Sequence, residues 1–124
     1  MVAAMTPQKT VMVVEDEPAI RSLLSITLEG ENYHVETAAD GQEALEKVEQ
    51  LHPDAILLDL MLPKIDGWAL IDALNGRSET GSIPIIAVSA TQRFLNVGEQ
   101  GVHAFLSKPF DVDTLLVVLE EVLQ

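Results

Sequence analysis

Carboxylates, a hydroxyl and a lysine each come directly after, or at the end of, a run of apolar residues in this chain. Glu15 and Asp16 follow TVMVV, Asp59 ends AILLD, Ser89 follows IPIIAV and Lys108 follows HAFLS. Clustered carboxylates suit Mg²⁺, which binds a few of them and keeps positions for water and phosphate. A lysine can hold a phosphate oxygen, and a carboxylate can act as the nucleophile that accepts a phosphoryl group. These residue types together indicate phosphoryl chemistry, in which a protein mainly positions groups and neutralises charge.

Each of these residues also has a purely structural interpretation. Asp59 could cap a loop after its strand, Ser89 could be a strand-end hydroxyl, and Lys108 could be a solvated surface lysine. Asp16 and Glu17 could lie at the start of a helix because carboxylates are favoured there. The combination is harder to explain in this way, and three acids in a row repel one another unless a positive group lies among them.

The elements that carry these residues alternate strand and helix five times. Short apolar runs predict strands at 10–14, 33–38, 55–60, 83–88 and 103–107. Strands that alternate with helices form a parallel sheet with helices on both faces, the doubly wound α/β fold class. The ends of such strands share one edge, where open α/β sheets bind ligands. The polar residues are therefore expected to converge, with Asp59 at the end of the central strand.

Helical spacing and caps predict the helices between these strands. Asp40 with Glu43 three residues later predicts the start of the second helix, and Asp111 predicts the start of the last. The fourth helix, over Thr91–Gln100, has the weakest signal, with no strong cap and Gly98 inside it. The expected buried stripes are Ile20, Leu23, Leu24 and Leu28; Ala44, Leu45, Val48 and Leu51; Leu70, Ile71 and Leu74; and Leu115, Val118, Leu119 and Val122.

Length and charge limit the classes of function. The 124 residues predict one domain at 10–124 after a leader at 1–9, and there is no cysteine for a disulfide framework. A net charge of −13 repels nucleic acid and anionic membranes, so neither is expected as a partner of this domain. No apolar run approaches the length of a membrane span and the first residues do not form a signal peptide, so a cytoplasmic location is expected.

The chain resembles the receiver domain of two-component response regulators over residues Thr10 to Leu123. The stretches that carry the resemblance are VMVVEDEP, LLDLMLPKIDG, PIIAVSA and FLSKPF. The resemblance implies a flavodoxin-like, five-stranded doubly wound sheet with the strand order 2-1-3-4-5. It also implies a phosphorylatable signalling module that is not an enzyme, apart from Mg²⁺-dependent self-phosphorylation and self-dephosphorylation.

The resemblance assigns roles to particular residues. Asp59 matches the phosphoacceptor, which takes a phosphoryl group from a sensor histidine kinase or a phosphotransfer protein. Mg²⁺ is the implied cofactor, bound by Asp16, by Glu15 as its partner, by Asp59 and by the main-chain carbonyl of Met61. Lys108 matches the lysine that pairs with the phosphoryl group, and its bond to Pro109 is expected to be cis.

Ser89 and Phe105 match the two residues that switch on phosphorylation. Phe105 lacks the hydroxyl of a tyrosine and cannot make that residue's polar contact. The nineteen residues from Ser89 to Lys108 are a few fewer than the family pattern has, so we expect a shortened fourth helix. A homodimer or a downstream protein is expected to use the face made by this helix, the fifth strand and the fifth helix.

Other function classes stay open at this point. A pseudo-receiver would bind proteins through the same surface without being phosphorylated. A Mg²⁺-dependent phosphatase would usually carry an acid two residues after its nucleophile, and Met61 stands there instead. A flavin binder would need a phosphate-binding loop after the first strand, where the three acids at 15–17 repel phosphate.

Overall fold

The computed structural model describes residues 8–61, 67–89 and 101–123, and within them five parallel strands form one sheet. The strands are β1 (Thr10–Val14), β2 (His34–Ala38), β3 (Ala55–Asp59), β4 (Ile85–Ser89) and β5 (Ala104–Ser107). The helices are α1 (Pro18–Gly30), α2 (Gly41–Leu51), α3 (Gly67–Asn75) and α4 (Val112–Leu123). The strand order is β2-β1-β3-β4-β5, which confirms the predicted doubly wound fold.

Two parts of the sequence prediction lie outside the described residues. One is the fourth helix over Thr91–Gln100 with its shortening, so that α4 corresponds to the fifth predicted helix. The other is most of the leader, of which only Gln8 and Lys9 are described. The Lys9 carbonyl accepts a hydrogen bond of 2.9 Å from the His34 amide, so pairing with β2 begins just before β1.

The two faces of the sheet pack against different helices because side chains alternate along each strand. Met12 and Val14 of β1 lie in a core with residues of α2 and α3, whereas Val11 and Val13 lie in a second core with residues of α1 and α4. The prediction of helices on both faces is confirmed. The helix residues fully enclosed by these cores include Val48, Leu70, Ile71, Leu74, Leu28, Leu115 and Leu119.

Two predicted core residues are exposed instead. Leu23 is 61% exposed, since α1 directs Leu24 and Leu28 into the core and Leu23 lines a surface groove between α1 and the start of α4. Leu51 is 40% exposed because it is the last residue of α2, next to the left-handed C-cap at His52. The apolar residues of a helix can thus extend beyond the part of its surface that packs against the sheet.

The register of the strands brings their carboxyl ends to one edge, which we call the carboxyl edge. Val14 pairs with Leu58, Asp59 with Val88, and Ser89 with Ser107. Each of β1, β3, β4 and β5 therefore ends within a residue or two of its neighbours. The residues that follow the strands must meet at this edge.

Gly67 brings the start of α3 against the end of β3. Its amide donates to the Leu60 carbonyl at 3.2 Å, and a Cβ at this position would lie 2.6 Å from the Leu60 Cα. Real Cβ atoms do not approach the main chain so closely, so only glycine fits without a shift. This contact packs the start of α3 onto the residue that follows Asp59.

Candidate functional site

Asp59 lies at the centre of the carboxyl edge, on the last residue of β3. It is 5% exposed, and its two carboxylate oxygens have different donors. Oδ1 accepts from the Met61 amide at 2.9 Å, and Oδ2 accepts from Lys108 Nζ at 2.8 Å. One oxygen is thus held by the main chain, whereas the other is paired with the side chain of a lysine.

Glu15 and Asp16 lie beside Asp59 because β1 and β3 are neighbours and end together. One carboxylate oxygen from each of the three residues lies within 4.8 Å of the others. Glu15 is buried, and its Oε2 accepts from the Glu17 amide at 3.1 Å. Asp16 is exposed, so the cluster opens to solvent on that side.

Lys108 supplies a positive charge to this cluster. Its Nζ lies 2.8 Å from Asp59 Oδ2 and 3.7 Å from Glu15 Oε1. Partial burial of the ammonium lowers its pKa, but the hydrogen bond and charge of Asp59, with a smaller contribution from Glu15, outweigh this and raise the pKa of Lys108. The lysine is therefore fully protonated at neutral pH.

Burial is the largest influence on Glu15 and raises the pKa of its carboxyl group. The hydrogen bond from the Glu17 amide opposes this, whereas the negative charge of Asp59 adds to it. The charge of Asp59 also affects the pKa of Glu15 more than the opposing charge of Lys108 does. A further cation at this edge would relieve that repulsion.

The donor set fits Mg²⁺. Three carboxylates from two adjacent strand ends offer hard oxygen atoms, and the exposed side leaves room for water and phosphate. Of the predicted ligands, Glu15, Asp16 and Asp59 are brought together. Met61 lies two residues after Asp59, and its amide donates a hydrogen bond to the Asp59 carboxylate. The role of its carbonyl as a metal ligand stays a prediction.

The two predicted switch residues lie on neighbouring strands. Ser89 ends β4, is 4% exposed and pairs with Ser107 of β5, and its carbonyl accepts from the Lys108 amide at 2.8 Å. Phe105 pairs with Ala87 and is half-buried against the core shared with α2 and α3. Ser89 therefore belongs to the carboxyl edge, while Phe105 lies further from it along β5. The Lys108–Pro109 peptide bond is cis, as expected.

Sequence reasoning missed one residue at this site, Arg21 of α1. Its Nη1 donates to the Glu15 carbonyl at 2.9 Å and to the Asp16 carbonyl at 3.4 Å. A signal for it was present, because three consecutive acids require a nearby positive charge and Arg21 is the first basic residue after them. It was missed because nothing in the spacing shows that the side chain folds back towards the loop.

No helix in the described part of the chain has the length and apolar content that crossing a membrane requires.

The chain is similar in sequence to known response regulators. The family model described as the response regulator receiver domain matches residues 11–120. The DNA-binding dual master transcriptional regulator RpaA of Synechocystis sp. is 37% identical over 117 residues, which cover 92% of this chain and 48% of the relative. The response regulator ArlR of Staphylococcus aureus is 35% identical over 114 residues, 92% of this chain and 52% of the relative. The chain thus spans about half the length of these relatives.

Several solved structures are similar to this chain in both fold and sequence. The chemotaxis response regulator CheY4 of Vibrio cholerae has a TM-score of 0.88 at 33% identity, over 94% of this chain and 99% of the other. The receiver domain of the sensor histidine kinase PA1611 from Pseudomonas aeruginosa has a TM-score of 0.86 at 28% identity, over 94% and 98% of the two chains. That structure contains a magnesium ion coordinated in its active-site cleft.

Proposed function

This chain belongs to the family of response regulator receiver domains, and we propose that Asp59 accepts a phosphoryl group in a Mg²⁺-dependent reaction. The donor is a sensor histidine kinase or a phosphotransfer protein. The observation that carries the proposal is the Asp59 carboxylate at the end of β3, paired with Lys108 and within 4.8 Å of the Glu15 and Asp16 carboxylates.

The two oxygens of Asp59 have different partners before the reaction. The Met61 amide holds Oδ1, whereas Oδ2 is paired with Lys108, whose side chain has a flexible stem. An Asp59 oxygen forms a bond to phosphorus while the bond from phosphorus to the donor's imidazole nitrogen breaks, and the electron pair of that bond stays on the nitrogen. Lys108 then transfers its hydrogen bond from Asp59 to a phosphoryl oxygen. Glu15, Asp16, Asp59 and the Met61 carbonyl would hold Mg²⁺, which would neutralise negative charge on the phosphoryl oxygens.

Phosphorylation changes the surface through Ser89 and Phe105 in this proposal. Ser89, buried at the end of β4, turns its hydroxyl towards the phosphoryl group, and Phe105 on the next strand turns inward. In this proposal, phosphorylation changes the relative populations of two conformations that share the same fold. The surface beside β5 and α4 is where a second copy or a downstream protein would detect the change.

The receiver domain extends over residues 10–124 in this proposal, and the output of the whole protein is a separate matter. RpaA of Synechocystis sp. is described as DNA-binding, but this chain matches only 48% of its length. The charge of −13 makes DNA binding by these 124 residues unfavourable. The role of the domain is therefore to receive the signal, whatever element transmits it.

Acetyl phosphate with Mg²⁺ tests the proposal without the cognate kinase. We expect a labile phosphoryl group on Asp59, mapped by mass spectrometry, and its loss in Asp59→Asn. The matched control is Asp54→Asn, because Asp54 precedes the same strand at the opposite edge, where its Oδ2 accepts from the Thr10 amide at 2.7 Å. Label that persists in Asp59→Asn would overturn the assignment, and wild-type protein that takes no label would favour the pseudo-receiver.

A further inference from the structure

Arg21 contacts the main chain of the acidic loop, residues 15–17, rather than its carboxylates. The hydrogen bonds that its guanidinium makes go to the carbonyl oxygens of Glu15, at 2.9 Å, and of Asp16, at 3.4 Å. A cation one turn from three acids would be expected to pair with a carboxylate. Here the carboxylates of Glu15 and Asp16 are instead left to face Asp59.

These two carbonyls belong to the two peptide groups that flank the Asp16 Cα. Each peptide group is planar, so fixing both planes fixes the φ and ψ angles of Asp16 and with them the direction of its Cα–Cβ bond. Two other bonds restrain the amide side of this loop, from the Glu17 amide to Glu15 Oε2 at 3.1 Å and from the Glu15 amide to the Ala38 carbonyl at 3.0 Å, and Arg21 adds the bonds to the carbonyl oxygens. Glu17, at the N-cap of α1, makes no side-chain cap hydrogen bond, and Asp16 is exposed.

We propose that Arg21 is a positioning residue for the metal site: it holds the main chain on both sides of Asp16 so that this carboxylate faces those of Glu15 and Asp59. The proposal rests on the Mg²⁺ site of the proposed function. In this proposal Arg21 contacts neither the metal nor the phosphoryl group. Its effect on the loop is present before either of them binds.

Charge and geometry predict opposite results when Arg21 is replaced, which makes the proposal testable. If Arg21 acted only as a charge, its removal would tighten the binding of a cation, since like charges repel. If it orients Asp16, removal weakens binding, as the loss of groups that orient metal ligands generally does. Both bonds come from Nη1 of a rigid, planar guanidinium. Lysine keeps the charge, but its ammonium sits on a flexible four-carbon stem and should hold the two carbonyls less firmly.

The experiment is calorimetric titration of the unphosphorylated full chain with magnesium chloride. We expect Arg21→Met to bind Mg²⁺ roughly tenfold more weakly than the wild type, and Arg21→Lys to lie between the two. The control is Arg77→Met, which removes the same charge from an ion pair with Glu49 at the far end of α3 and should not weaken binding. Amide NMR signals of residues 15–17 should shift in metal-free Arg21→Met and not in Arg77→Met.

Two results would overturn the proposal: Arg21→Met that binds as tightly as the wild type or more tightly, or Arg21→Lys equal to the wild type. If the methionine variant does not fold, the lysine variant decides, because its charge is unchanged. Failure of the proposed metal site is distinguishable, since wild-type protein and Asp16→Ala would then show the same affinity for Mg²⁺.

Discussion

The helices α1 and α2 both begin at the carboxyl edge with acidic residues, yet they use those acids differently. At α2, Asp40 Oδ1 accepts from the Glu43 amide at 2.9 Å, and Glu43 Oε1 accepts from the Ala39 amide at 2.7 Å. At α1, Glu17 occupies the N-cap position and makes no side-chain cap hydrogen bond. Glu17 therefore lies at the start of a helix, as the purely structural interpretation expects, but it lacks the side-chain cap hydrogen bond that Asp40 makes at α2.

The pKa directions of two glutamates express the same difference. The Ala39 amide, together with Lys47, lowers the pKa of Glu43, because its negative charge is stabilised in the folded chain. Burial beside Asp59 raises the pKa of Glu15. The partners of Glu43 lie at its own helix start, whereas the Glu15 carboxylate is buried beside other acids. The start of α2 therefore satisfies its acids locally, whereas the proposed metal site lies at the start of α1.

The largest effect that separates the two helix starts should be on Mg²⁺ affinity. We expect Asp16→Ala to weaken Mg²⁺ binding by at least about tenfold, since it removes a carboxylate from the cluster. Asp40→Ala should leave the affinity unchanged, because that carboxylate is committed to its cap. Calorimetry, with the fluorescence of Trp68 as a second readout, measures both. Equal affinities in Asp16→Ala and the wild type would show that Asp16 is not part of a Mg²⁺ site.

The second effect is on the free energy of unfolding, and here we expect the variant at α2 to be affected and the variant at α1 to be unaffected. Asp40→Ala should lower it by about 1 kcal/mol, the usual cost of losing an N-cap side chain, and the melting temperature by about 4 °C. Asp16→Ala should melt no lower than the wild type in the absence of metal, since it removes repulsion among three acids. Thermal unfolding in a metal-free buffer gives both values. A comparable loss in the two variants would mean that Asp16 also stabilises its helix.

The smallest effect is a dependence on pH at the start of α2. The pKa of Glu43 is lower in the folded than in the unfolded chain, so it contributes stability above its unfolded pKa, and that contribution is lost as the pH falls through its folded pKa. We expect Glu43→Gln to be less stable than the wild type at neutral pH. The difference should shrink below about pH 4.3, the ordinary pKa of a glutamate. Urea unfolding at several pH values measures it, and a constant difference would contradict the assignment.

Much of the fold was predictable because local patterns carry it. Apolar runs located all five strands to within two residues, and Asp40 and Asp111 were correctly predicted as caps, with Asp111 Oδ1 accepting from the Thr114 amide at 2.7 Å. Burial was less predictable. Leu23 and Leu24 are adjacent and equally apolar, and which of them faces the sheet depends on how α1 is rotated against it.

The sequence by itself determined which residues could perform the chemistry, because carboxylates, a lysine and apolar strands are visible in it and match one family. Tertiary structure alone decided how they are held. The 2.8 Å pairing of Lys108 with Asp59 joins residues 49 positions apart, and only the parallel register of β3, β4 and β5 brings them together. Arg21 shows the same limit at short range. Its bonds to the acidic loop depend on where the first turn of α1 points its side chains, and that direction is set by packing against the sheet.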